Sequence, residues 1–125
     1  MKLKLIITGL LLSGAAQAEW VHYGTSVSGK VYYNNTTINK QPTGTSVWQM
    51  QNRNVRNDKL NFTSTKAIIE FDCVGRYRYW NGVFYTGPMG GGEVSYSHDD
   101  MGTWSLVVPE STAETLQGIL CGKSV

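Results

Sequence analysis

Thr65-Lys66-Ala67-Ile68-Ile69-Glu70-Phe71-Asp72-Cys73-Val74-Gly75-Arg76-Tyr77-Arg78-Tyr79-Trp80 decides how this chain is read. Ala67, Ile69, Phe71 and Cys73 alternate with Lys66, Ile68, Glu70 and Asp72, the period of a strand with one buried face. Gly75 marks a turn and Arg76 to Trp80 alternates again, so the stretch predicts an antiparallel hairpin. A two-residue loop would set Cys73 opposite Arg76 and Phe71 opposite Arg78, with guanidinium groups over the core face. A three-residue loop, Val74-Gly75-Arg76, instead pairs Cys73 with Tyr77, Phe71 with Tyr79 and Asp72 with Arg78. The second register is expected, because a slip of one residue carries every side chain to the wrong face. It also gives the Arg-Tyr alternation a structural origin, with tyrosines inward and Arg78 held by Asp72 across the strands. A stacking platform for single-stranded nucleic acid would use the same residue types.

Either side of this hairpin, short runs rich in aromatic and β-branched residues are punctuated by Gly, Asn and Ser-Gly turns, the pattern of a β-rich domain. The expected strands are Trp20–Tyr23, Lys30–Tyr33, Thr45–Gln51, Thr65–Val74, Arg76–Tyr85, Gly92–Ser97 and Thr103–Val107, with turns at Asn34-Asn35 and Gln41 to Gly44. Asn52 to Asn61, with four Asn, two Arg, one Lys and one Asp, reads as a solvated loop. Its cations Arg53, Arg56 and Lys59 are the candidate partner contacts. Gly87-Pro88-Met89-Gly90-Gly91-Gly92 lacks the Gly-Lys-Ser/Thr ending of a phosphate loop and is expected as a flexible connection. Ser111-Thr112-Ala113-Glu114 is a capping box that starts a C-terminal helix, with Leu116, Leu120 and Cys121 on one face.

The amino terminus changes the electrostatics. Lys2 and Lys4, the apolar run Leu5 to Leu12 and Ala16-Gln17-Ala18 read as a signal peptide over residues 1–18, cleaved before Glu19. The apolar run is far short of the roughly 18 residues that a membrane span requires. No cysteine stands at the cleavage point, so a lipid anchor is not expected. Of 125 residues the domain 19–125 keeps 107, and losing Lys2 and Lys4 turns eleven basic against nine acidic residues into nine against nine. Nucleic acid and anionic membranes lose their electrostatic motive, which rests on excess basic charge. Export also makes Cys73 and Cys121 an expected disulfide. The 49-residue loop it closes is worth about 4 kcal/mol in the chain-entropy model.

No set of nucleophile, base and oxyanion donor assembles, so no enzymatic activity is expected. A catalytic thiol with His22 or His98 as base would need a free cysteine. His98-Asp99-Asp100 is the one metal-like cluster, yet adjacent residues on an extended chain point apart and no further ligand stands at metal spacing. No metal or cofactor is expected. Glu70 and Asp72, two apart on a strand face, read as members of a surface charge network with Lys66 and Arg78.

Trp20, Val47-Trp48, Glu70-Phe71-Asp72-Cys73 followed by Tyr77-Arg78, Tyr85-Thr86-Gly87-Pro88-Met89-Gly90, Trp104 and the Pro109 to Cys121 segment together resemble the surface-adhesin protein E-like domain of Gram-negative bacteria. The similarity runs in order through nearly all of residues 19–125. It implies an α+β fold, an antiparallel sheet of about six strands packed by a C-terminal helix that a disulfide tethers. It further implies a non-enzymatic envelope module that adheres to host extracellular-matrix or plasma proteins and tends to dimerise. Without an acylated cysteine, a periplasmic or released form is expected, and binding of a small ligand or an envelope protein is the alternative. No ligand-binding residue of the family maps onto a position here. N-terminal sequencing of exported protein should begin at Glu19, and an intact Met1 on that material would overturn the leader.

Overall fold

The computed structural model describes residues 19–122. The expected signal peptide lies outside the described residues. The chain forms β1 (Trp20–Ser26), β2 (Gly29–Asn34), β3 (Asn39–Gln41), β4 (Gly44–Asn57), β5 (Phe62–Phe71), β6 (Arg76–Tyr85), β7 (Val94–Ser97), β8 (Ser105–Leu106) and helix α1 (Thr112–Cys121). A single 3-10 turn at Pro88–Gly90 lies between β6 and β7. The strands make one curled antiparallel sheet in the order β1-β2-β4-β5-β6-β7. The sheet therefore has eight strands rather than about six. Two short strands lie off that path: β3, which was not expected and pairs with β4, and β8, which falls within the expected Thr103–Val107 and pairs with β6. β3 has the wholly polar sequence Asn-Lys-Gln and offers no periodicity to read.

The β5–β6 hairpin forms, but two residues away from the expected register. Phe71 pairs with Tyr77, Glu70 with Arg78 and Ile69 with Tyr79. A shift of two preserves the faces, so Phe71, Tyr77 and Tyr79 still point to the core. The shift follows from Asp72. Its Oδ1 accepts from the backbone amides of Val74 (2.8 Å), Gly75 (3.0 Å) and Arg76 (2.9 Å), and its Oδ2 accepts from Arg76 Nε at 2.8 Å. A carboxylate committed to its own turn cannot reach Arg78. Glu70 takes that guanidinium instead, at 2.9 Å.

Helix α1 starts where the capping box predicts, with the Ser111 hydroxyl accepting the Glu114 amide at 3.3 Å. The Glu114 carboxylate reaches back one residue further than expected, to the amide of Glu110 at 2.8 Å. Leu116 and Leu120 are buried against Val47, Ile69 and Phe71, and the Cys73–Cys121 disulfide ties the helix end to the β5–β6 turn. Lys40 Nζ donates to the Leu120 carbonyl at 3.3 Å, answering a carbonyl that the helix leaves unpaired. At the other end, Gly24 lies so close to Thr112 that a Cβ there would come within 2.9 Å of its methyl group.

Two segments expected as loops are ordered by pairing. β4 continues through Asn52 to Asn57, with Arg53 paired to Gly29 and Asn57 to Phe62, so only Asp58–Asn61 remains as a turn. The glycine segment is docked rather than flexible. Ser64 Oγ donates to the Gly87 carbonyl (2.7 Å) and accepts from the Gly90 amide (2.8 Å), and Met89 N donates to Asn52 Oδ1 (2.7 Å). Gly90, at φ 73°, packs against Lys66 so closely that a Cβ there would come within 2.6 Å of its Cε, and it lies in ordinary contact with Met50. The turn thus helps to close the sheet face opposite α1 and leaves Met50 and Ser64 fully buried.

Leu116→Ala should cost about 2–5 kcal/mol in chemical denaturation, as expected for a truncated core leucine. Asp72 offers a pH-dependent counterpart. Burial raises its carboxyl, but the turn amides and Arg76 outweigh that effect and hold it down at about 2. Its stabilising effect is present above the ordinary value of 3.8 and fades as pH falls from there toward 2. Asp72→Asn should therefore melt lower than wild type at pH 6, with the difference shrinking as both are titrated toward pH 2.

Candidate functional site

The helix covers only part of its sheet face. Beyond Val47 and Ile69 the same face continues through Gln49 and Gln51 on β4, Ala67 and Thr65 on β5, and Gly82 and Phe84 on β6. These residues bound a cavity of about 270 Å³. Gln49 is 2% exposed, and its Nε2 donates to the Tyr23 hydroxyl at 3.0 Å. Burial pushes the Tyr23 phenol up to about 12, and Tyr79 is raised further by the same cause with Tyr23 and Tyr77 nearby. Both phenols stay protonated at neutral pH and serve the site as neutral dipoles.

One side of the cavity is an aromatic row that crosses the strands. Phe62 meets Phe84 edge-on at 4.8 Å, Phe84 meets Tyr96 at 5.5 Å, and His98 stands 6.4 Å from Phe84. Arg53 closes the other end, its guanidinium 5.4 Å from the Phe62 ring centre and its Nε donating to the Val55 carbonyl at 3.0 Å. No carboxylate pairs with Arg53 among the described residues. His98 Nδ1 is buried with no hydrogen-bond partner among the described residues, a condition that costs about 1–3 kcal/mol when nothing answers it. The imidazole fits because Gly82 has no side chain, since a Cβ there would stand 2.6 Å from Nε2.

The sheet ends at β1 on one side and at β7 on the other. Val94, Ser95, Tyr96 and Ser97 are all exposed, and their outer edge has no strand partner among the described residues. The segment carries no charge and no proline, the features that usually protect such an edge.

The three cations singled out in the sequence separate along one hairpin. Arg53 lines the cavity at its root. Arg56 is near the tip, paired with Asp58 at 3.2 Å, and Lys59 is exposed in the turn itself. His98 leaves its two acidic neighbours, for it lines the cavity while Asp99 and Asp100 are exposed. Cys73 and Cys121 are both oxidised in the bridge, which removes the thiol nucleophile. Arg76 and Arg78 flank Trp104, at 5.0 and 4.2 Å, while bonded to Asp72 and Glu70, so these guanidiniums are structural. Gly82 inside β6 was the one sequence signal for the cavity, since glycine within a strand marks a close approach.

The family model described as Surface-adhesin protein E matches residues 20–122. Two solved structures of Haemophilus influenzae protein E superpose with TM-scores of 0.62, for crystal form II, and 0.60. Each is 15% identical in sequence and covers 85% of this chain, spanning 89% and 86% of the respective solved chains. At that identity the likeness establishes the fold. No curated protein matches the chain in sequence. No helix among the described residues is long and apolar enough to cross a membrane. With its disulfide, its antiparallel sheet and a match over almost all of its described residues, the chain belongs to the Surface-adhesin protein E family.

Proposed function

We propose that this protein is an exported, non-enzymatic adhesin module of the bacterial envelope, periplasmic or released, that recruits a protein partner along β7. The observation that carries this reading is the β7 edge itself, uncharged, exposed and unpaired, with Val94 56% and Tyr96 53% exposed. Such an edge offers backbone amides and carbonyls to an incoming strand, while its side chains select the partner. Membership of an adhesin family supports a protein as the partner, and a host extracellular-matrix or plasma protein or an envelope protein fits that chemistry. Arg56 and Lys59 at the β4–β5 tip, with Arg53 at its root, supply cationic contacts that steer the encounter. A homodimer through the same edge competes with that partner.

The cavity favours a second reading, in which the module also takes a small ligand. A concave site walled by aromatic rings with a few convergent polar groups suits that role.

Immobilised matrix, plasma and envelope proteins titrated with purified protein should show saturable binding at micromolar concentration. Val94→Lys should weaken it by about tenfold or more, since a lysine on the edge obstructs strand addition. Sedimentation velocity of the same variant reads out the competing dimer. Absence of saturable binding, or an unchanged affinity in a folded Val94→Lys protein, would count decisively against the β7 edge.

A further inference from the structure

The sheet face opposite α1 carries the tryptophans of this chain. Trp48, Ile68 and Trp80 pair across β4, β5 and β6, and they alternate with Val47 and Ile69 under the helix. Three of the four tryptophans have a cation against the ring. Lys66 lies 5.3 Å from Trp20, Arg78 lies 5.7 Å from Trp80, and Arg76 and Arg78 lie 5.0 and 4.2 Å from Trp104. Trp48 is the exception, for it makes no cation–π or ring–ring contact among the described residues. It is only partly buried, so its indole offers aromatic surface that no cation or ring of the chain has claimed.

Two shallow clefts of about 500 and 210 Å³ flank this indole, and Trp48 is the one residue that borders both. Asn81, Ser97 and Asp99 line the larger cleft. Asn81 is held there at φ 58°, where the register of β6 on β5 shifts. None of these three side chains makes a hydrogen bond or an ion pair among the described residues. Asn39 and Ser46, paired across β3 and β4, line the smaller cleft. Asn39 Oδ1 accepts from Gln41 Nε2 at 3.0 Å, which leaves the Asn39 amide hydrogens as donors. The backbone beneath the indole is fixed in advance, because the Trp48 amide donates to Thr37 Oγ1 at 3.1 Å and that hydroxyl donates to the Asn34 carbonyl at 2.9 Å.

We propose that this face binds an uncharged saccharide, one pyranose ring stacked on Trp48 with its hydroxyls on Asn81, Ser97 and Asp99 to one side and on Asn39 and Ser46 to the other. A pyranose has an apolar face of C–H groups, which suits the negative face of an indole, and a rim of hydroxyls that both donate and accept. The site supplies the complement of each, a bare ring between short amide, hydroxyl and carboxylate side chains. No arginine or lysine lines either cleft, so a sulfated or acidic sugar would find no counter-charge. An open cleft on each side of the indole lets a glycan chain continue past the stacked unit. This site does not rest on the β7 edge, and it faces away from the cavity beside α1.

The test is titration of the purified protein with three neutral trisaccharides, cellotriose, maltotriose and tri-N-acetylchitotriose, followed by the tryptophan indole N–H resonances. The expected result is saturable binding of at least one sugar in the millimolar range, with the Trp48 resonance moving and that of Trp104 unmoved. Trp48→Ala should weaken binding about tenfold or more, the scale of a lost aromatic stacking contact, and Asp99→Ala should weaken it several-fold. Near-ultraviolet dichroism shows that each variant is folded, and Trp48→Phe, which keeps a smaller ring, should retain part of the affinity. No saturation by any of the three sugars, or unchanged affinity in a folded Trp48→Ala protein, would overturn the assignment. Tetramethylammonium is the control for a cation site formed by an indole beside a carboxylate, and binding of it as tight as that of the best sugar would also overturn the saccharide.

Discussion

The structure turns on the five residues from Asp72 to Arg76. A single carboxylate collects three backbone amides and a guanidinium there, and the turn it organises holds Cys73 at φ 62°, in the left-handed region. From that position the sulfur meets Cys121 at the end of α1, with Cα atoms 5.5 Å apart. A ten-residue helix is marginal alone, so its place on the sheet depends on this tether and on Leu116 and Leu120. The same turn sets the register of β5 against β6, and with it the row of residues that faces the helix.

Helix coverage divides that sheet face into two environments. Under α1 the side chains are aliphatic and aromatic and make a dry core. Past the helix, the same strands present Gln49, Gln51 and Thr65 among Phe62 and Phe84. The opposite face is closed by different means, a glycine-rich turn seated over Met50 and Ser64 and arginines and lysine laid over tryptophan and tyrosine rings. Such contacts bury the stems of long cationic side chains while satisfying their charge. With that outer face ordered, the sheet's open edges among the described residues are β1 and β7, and the cavity lies beside β7.

Much of this was legible in local pattern. The alternation around Ile69 and Phe71, the inward tyrosines, the Asn34 turn and the Ser111 cap all appear where the chain predicts them. The Asn34 carboxamide, for example, accepts from the Thr36 amide at 3.0 Å. Asn52 to Asn57 misled because a strand with no buried face has no hydrophobic period, and its pairing with β2 and β5 is supplied by the backbone alone. The glycine segment misled in the opposite way, since residues that permit flexibility also permit the close seating seen at Gly90.

By itself the sequence determined which residues alternate, where the helix begins and that the charge of residues 19–125 is balanced. Those properties rest on neighbours a few residues apart or on composition. Only the tertiary structure decided that Glu70 rather than Asp72 faces Arg78, because periodicity sets the face of a residue and not its offset along the partner strand. Only the tertiary structure brought Arg53 and His98 to one cavity, since they lie on opposite sides of two intervening strands and meet through the curl of the sheet.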